Sequence, residues 1–172
     1  MRENSVIVLI GPMGAGKSTV GRILASILGK QFLDSDEQIE KNAGASIPYI
    51  FEAEGEKGFR AREESTIRDL ISGEGIVLAT GGGAVLSANT RKLLKRDCFV
   101  VFLETSVGEQ AQRTSKSDNR PLLRGQDRAE VLGSIYEKRK PLYEECADCR
   151  ILTDGHSPRE IAAFIAKEFR RV

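Results

Sequence analysis

Gly11-Pro12-Met13-Gly14-Ala15-Gly16-Lys17-Ser18 matches the spacing G-x-x-x-x-G-K-[ST], and it stands between the apolar run Val6-Ile7-Val8-Leu9-Ile10 and a stretch with helical periodicity. A strand before the glycines and a helix after them is the context that makes this spacing a phosphate-binding loop rather than a chance turn. The glycines let the backbone curl until successive N–H groups and the helix N-terminus face one point, which suits a phosphate. Lys17 then reaches the outer phosphates, and the Ser18 hydroxyl can ligate Mg²⁺. Gly14, Ala15, Gly16, Lys17, Ser18 and Thr19 are the candidate nucleotide contacts.

Outward from this loop the chain alternates short β-rich runs with longer amphipathic stretches, the pattern of a parallel sheet with crossover helices. Strands are expected at Ser5–Ile10, Gln31–Leu33, Ile76–Ala79, Cys98–Leu103 and Arg150–Leu152. Ile76–Ala79 and Phe99–Leu103 are unbroken apolar runs, as parallel strands covered on both faces should be. Val20, Ile23, Leu24, Ile27 and Leu28 recur at helical spacing before Gly29, and Ile161, Phe164, Ile165 and Phe169 repeat that logic between Pro158 and Arg170. The expectation is an α/β domain with a doubly wound, five-stranded core. Two stretches exceed a simple crossover: Ile39–Ile71, long enough for two or three helices beside the sheet, and the polar Thr114–Arg128, which carries Pro121. Long inserts of this kind often serve the ligand.

A Mg²⁺ site needs a carboxylate, yet Ile76–Ala79 runs into Thr80-Gly81-Gly82-Gly83 rather than an Asp. Asp34 and Asp36 follow the second expected strand two residues apart. An extended chain would set both carboxylates on one side at the carboxyl end of the sheet, where open α/β sheets bind ligands. Glu104, after the fourth expected strand, is a rival for the metal, and each of the three could instead cap a helix or a strand end. Arg60 and Arg139 are cations outside the loop; paired guanidiniums would bind a carboxylate through parallel hydrogen bonds, whereas singly each reads as a surface charge. Gly81-Gly82-Gly83 is either a plain turn or a place where backbone N–H groups approach a substrate hydroxyl. Arg113 to Arg124 mixes polar residues, cations and Leu122-Leu123, the composition of a mobile lid in which Arg120 would bring positive charge over a transferring phosphoryl group while water is excluded.

Composition narrows the classes further. A chain of 172 residues suits one domain, and 26 Lys+Arg against 25 Asp+Glu speak against a nucleic-acid coat. The single histidine, His156, rules out a two-histidine metal site. Cys98, Cys146 and Cys149 are an odd set in a chain too large to need staples, which suggests a reducing, cytoplasmic setting; a zinc site formed by them with His156 is the weaker reading beside small, partly buried hydrophobes. The first apolar run meets Gly11 too soon for a membrane span and lacks a cleavage pattern, so neither membrane attachment nor a targeting segment is expected. The residues by themselves describe a kinase of a small, anionic alcohol.

Beyond that point the chain resembles shikimate kinase, a P-loop family that phosphorylates the 3-hydroxyl of shikimate with ATP. The resemblance lies in the Gly11–Ser18 loop, Leu33-Asp34-Ser35-Asp36, Phe59-Arg60, Thr80-Gly81-Gly82-Gly83-Ala84-Val85, Asn119-Arg120-Pro121-Leu122-Leu123, and Arg139 with Pro141-Leu142-Tyr143, in that order. It implies a three-layer P-loop kinase fold on a single domain, residues 1–172, with a substrate-binding insert at about 35–72 and a lid at about 114–128. By the same resemblance Asp36, Arg60, Gly82 and Arg139 hold shikimate, the arginines at its carboxylate and Asp36 at the reacting hydroxyl. Lys17 and Arg120 neutralise charge on the transferring phosphate, Arg113 lies beside the adenine, and one Mg²⁺ per subunit is bound by Ser18 with Asp34 assisting through water. The segment Thr153–Pro158 departs from members that place an arginine near the base. Shikimate and ATP are the expected partners of a monomer, with no nucleic acid. Another small-metabolite kinase, such as a gluconate kinase, or a non-catalytic nucleotide switch, are the alternatives.

Overall fold

A computed structural model describes residues 5–115 and 127–172. Its centre is a parallel sheet of β1 (Val6–Ile10), β2 (Gln31–Asp34), β3 (Ile76–Ala79), β4 (Cys98–Glu104) and β5 (Cys149–Leu152), in the order β2-β3-β1-β4-β5. Each strand lies within one residue of its expected bounds. Val8 on β1 pairs with Leu78 on one side and Val100 on the other, so the strand that feeds the glycine loop is held from both flanks.

Among the described residues seven α-helices flank the sheet: α1 (Lys17–Leu28), α2 (Ser35–Ala43), α3 (Ile47–Ile71), α4 (Ala88–Asp97), α5 (Val107–Thr114), α6 (Arg128–Cys146) and α7 (Pro158–Phe169). Alternation along β1 decides which layer meets which face. Val6, Val8 and Ile10 join Ile67, Leu94 and Tyr143 from α3, α4 and α6, whereas Ile7 and Leu9 join Val20, Leu24, Ile161 and Ile165 from α1 and α7. All of these are buried, and burying each such side chain contributes about 1.5–3 kcal/mol. The expected three layers are therefore present.

Beyond β2 the chain makes a smaller core of its own, with Ile39, Ile50 and Phe59 joining α2 to α3. The two or three helices expected there are α2 and α3, the latter broken at Gly55, whose φ of 72° and ψ of −179° interrupt the helical backbone. The sequence reading of Asp34 and Asp36 as alternate residues of an extended chain is corrected here. Asp34 is the N-cap of α2, its carboxylate accepting the N–H groups of Asp36 and Glu37, so the chain turns helical before Asp36.

Adjacent strands β1 and β3 feed helices on opposite faces, α1 and α4, which opens a crevice beyond their carboxyl ends. The expected lid and Arg120 fall largely or wholly in 116–126, outside the described residues. The described flanks of that stretch are tied together, since Arg128 Nη1 donates to the Thr114 carbonyl at 2.5 Å.

Candidate active site

The crevice holds a cavity of about 370 Å³ walled by the glycine loop, Asp34, Asp36, Gly82 and Arg113. Gly16 caps α1 in the left-handed region, φ 84°, where a side chain would be strained, so the first N–H groups of the helix are presented around the loop. Lys17 Nζ donates to the carbonyls of Gly11 (2.6 Å) and Pro12 (2.9 Å), which holds the ammonium across the loop mouth. Arg113 Nη1 donates to the Gly14 carbonyl at 3.0 Å and its Nε meets Glu109 at 3.2 Å, placing the guanidinium at the cavity rim.

Ser18 Oγ donates to Asp34 Oδ2 at 2.7 Å. A hydroxyl and a carboxylate side by side at a phosphate loop form a hard, all-oxygen donor pair, which fits Mg²⁺. That ion retains several waters and takes one or two protein ligands alongside substrate phosphates. Among the described residues no group of three or more His, Cys, Asp and Glu is placed to hold a metal ion. Glu104, the rival in the sequence, is engaged elsewhere: Arg150 binds it through two bonds of 2.7 and 2.9 Å and Lys140 approaches to 3.3 Å. Hydrogen bonding from Arg150 holds its carboxyl below the ordinary range. His156 lies on the surface against Glu160, while Cys98 and Cys146 are buried thiols.

Beyond β3 stand Gly81, Gly82 and Gly83, each of which faces a charged side chain where a Cβ would stand. At Gly81 that atom would lie 2.9 Å from Asp36 Oδ1 and 3.1 Å from Glu63 Oε2. At Gly82 it would meet Arg139 Nη1 at 3.5 Å, and at Gly83 it would run into the Arg60 guanidinium. Asp36 from α2, Arg60 from α3 and Arg139 from α6 are thus gathered along three consecutive residues beyond β3. Asp36 and Gly82 line the phosphate cavity itself, while Arg60 and Arg139 border it behind the glycines.

The sequence reading assigns no role to two members of this cluster, although Tyr143 stands in a segment that carries the resemblance. Glu63 is buried on α3 and its Oε1 accepts from Arg60 Nη1 at 2.7 Å. Burial raises its pKa against the opposing pull of Arg60 and Arg139, and the nearby Asp36 carboxylate pushes the same way as burial. Tyr143 is buried on α6, and its hydroxyl donates to the Gly82 carbonyl at 2.5 Å. The available signals were helical spacings: Glu63 stands three residues after Arg60 and Tyr143 four after Arg139, each on the same helix face as its arginine.

A family model for shikimate kinase matches residues 13–170. The chain belongs to the shikimate kinase family. The shikimate kinase of Actinobacillus pleuropneumoniae serotype 5b is 50% identical over 165 residues, which span 96% of this chain and 95% of that relative. A solved shikimate kinase from Acinetobacter baumannii, in complex with shikimate, has 47% identity and a TM-score of 0.95, with 98% of this chain and 94% of that one covered. A gluconokinase from Sinorhizobium meliloti, at 20% identity and a TM-score of 0.61, shares the fold alone. Membership of the shikimate kinase family decides among the alternatives that the residues had left open. The reaction is ATP-dependent phosphorylation of shikimate, and the chain is an enzyme of that class. No described helix is long and apolar enough to cross a membrane.

Proposed function

We propose that ATP lies along the glycine loop and shikimate lies against Gly81–Gly83, so that the 3-hydroxyl meets the γ-phosphate between Asp36 and Lys17. The observation that supports this division is the placing of Asp36, Arg139 and Arg60 against three successive glycines at the edge of the phosphate cavity. Two guanidiniums and one carboxylate on a short backbone segment suit a ring that carries a carboxylate at one end and hydroxyls at the other.

In this reading Arg60 and Arg139 clamp the shikimate carboxylate, and the Gly82 backbone takes up a ring hydroxyl. Asp36 orients the 3-hydroxyl and accepts its proton as the oxygen bonds to phosphorus and the bond to ADP breaks. An alcohol is too weak an acid to lose its proton to a carboxylate beforehand, and a loose transition state demands little early deprotonation, so orientation is the larger part. Lys17 moves its ammonium from the Gly11 and Pro12 carbonyls to the phosphates and offsets charge during transfer. Ser18 and Asp34 hold Mg²⁺, which when bound neutralises charge between the phosphates. Arg113 stands at the nucleotide rim. Arg120 and segment 114–128 enter from the sequence as the cation and the cover for the reacting groups. The helices of 35–72 form the substrate-binding insert of a single domain that acts as a cytoplasmic monomer.

ADP release should be measured from ATP and Mg²⁺ with and without shikimate, alongside phosphorus NMR of the product. Release that depends on shikimate and yields a 3-phosphate ester is expected. ADP release indifferent to shikimate, or an ester on another hydroxyl, overturns this arrangement.

A further inference from the structure

Tyr143 lies beneath the acceptor site and is 1% exposed, out of reach of any ligand. Its ring stacks on Phe102 of β4, with centroids 5.1 Å apart and planes at 25°. Its hydroxyl donates to the Gly82 carbonyl at 2.5 Å, and the Arg139 guanidinium, one helical turn earlier on α6, lies against the same glycine, its Nη1 3.5 Å from where a Gly82 Cβ would stand. Burial pushes the phenol's pKa up against the pull of Arg139, so the group is neutral and keeps its proton for the carbonyl. The phenol therefore stands where two of the groups assigned to shikimate meet, one on the loop after β3 and one on α6. The ring beneath is fixed to the central sheet.

From this we infer that Tyr143 is a positioning residue for the acceptor: it braces the Gly82 peptide and the Arg139 guanidinium as a unit, so that the carboxylate clamp and the backbone contact are preset relative to each other. The inference rests on the clamp proposed above. A peptide whose carbonyl is held from below has a fixed plane, and the direction of the neighbouring N–H groups follows from that plane. An arginine packed against a glycine whose peptide is held in place has fewer rotamers to lose when a carboxylate arrives. The ATP side has no such dependence, because the glycine loop belongs to β1 and α1.

Tyr143→Phe keeps the ring on Phe102 and removes the bridging oxygen. KM for shikimate should rise roughly tenfold, the scale of one lost buried hydrogen bond, while KM for ATP stays within about twofold. Arg139→Lys should also raise KM for shikimate, and the double variant should lose less than the product of the two single effects, because both act through one group. A Tyr143→Phe enzyme with unchanged KM for shikimate, with equal rises for both substrates, or with losses that multiply with those of Arg139→Lys overturns the bracing role. If Arg139→Lys impairs shikimate while Tyr143→Phe does not, only the bracing fails; if Arg139→Lys leaves shikimate unaffected, the clamp fails and the bracing with it. Should Tyr143→Phe not fold, the hydroxyl proton of Tyr143 in the wild-type enzyme gives a second reading by NMR. It should shift on saturation with shikimate and stay unmoved by ADP, and a resonance indifferent to shikimate overturns the inference.

Discussion

Lys17 and Glu63 show how single side chains are committed before any substrate arrives. The Lys17 ammonium rests on two loop carbonyls within 3 Å, so its charge is already gathered where phosphate oxygens belong. Lys17→Met should keep the fold and lower kcat by at least roughly 10²-fold, the scale of removing one preorganised donor from developing charge. Steady-state rates beside a circular dichroism spectrum check this, and a rate close to wild type would remove the phosphate role. Asp36→Asn keeps the shape and loses the charge, so turnover should fall by roughly 10²–10⁴-fold while shikimate still binds, more weakly. Rapid-quench measurements of the chemical step compare the two enzymes. Glu63 carries a pH signature. Its folded pKa lies above its ordinary value of 4.5, so the stability it brings is complete below that value and is lost as pH rises through the folded value. Urea midpoints followed from pH 4 upward should fall less steeply in Glu63→Gln than in the wild type, and parallel curves would assign the slope to other groups.

At the scale of elements, the proposed acceptor site depends on where α3 breaks. Gly55 holds φ 72° and ψ −179°, a region open essentially to glycine alone, and the turns after it carry Glu63 to Gly81 and Arg60 to Gly83. Gly55→Ala should destabilise the protein by about 1–3 kcal/mol and raise KM for shikimate more than KM for ATP, since α1 and the glycine loop stand on another element. Thermal unfolding and the two Michaelis constants test it together; an unchanged melting temperature would show that the break does not need glycine. Helix α6 faces a related constraint. It runs through Pro141, which has no N–H for the Glu137 carbonyl, between Arg139 and Tyr143. Pairing of Tyr143 with Phe102 and of Arg139 with the glycine segment holds this helix against the sheet despite that loss.

Across the whole molecule, the two apolar layers leave the thiols inside or half inside. Burial raises Cys98 to about 12 and Cys146 to about 11, and Tyr136 is lifted to about 12 for the same first reason. Folded values above unfolded ones mean that this stability is present below pH 9 and drains away as pH rises toward those values. The native protein at pH 8 should leave Cys98 and Cys146 unlabelled by a thiol reagent while the half-buried Cys149 reacts first, and all three should react together in urea. Mass spectrometry of the labelled peptides reads the order, and rapid native labelling of Cys98 would contradict its burial.

The sequence by itself determined the sheet and the phosphate side. The short apolar runs of β1, β3 and β4, alternating with helical periodicity, are the pattern of buried parallel strands, and a glycine loop is a local structure whose chemistry is complete within eight residues, Gly11 to Ser18. It also named Asp36, Arg60 and Arg139, because their surroundings in the chain resemble a family. What only the tertiary structure decided is which side chains gather against Gly81–Gly83. Glu63 and Tyr143 acquire their meaning from partners that no local pattern links to them, Tyr143 from a carbonyl 61 positions away at Gly82 and Glu63 from Asp36 on another helix. Asp34 and Asp36 were misplaced on an extended chain for the same reason, since whether a residue after a strand continues it or caps a helix depends on where the next element can bury its apolar face. Here Ile39 finds Ile50 and Phe59, and α2 begins at once.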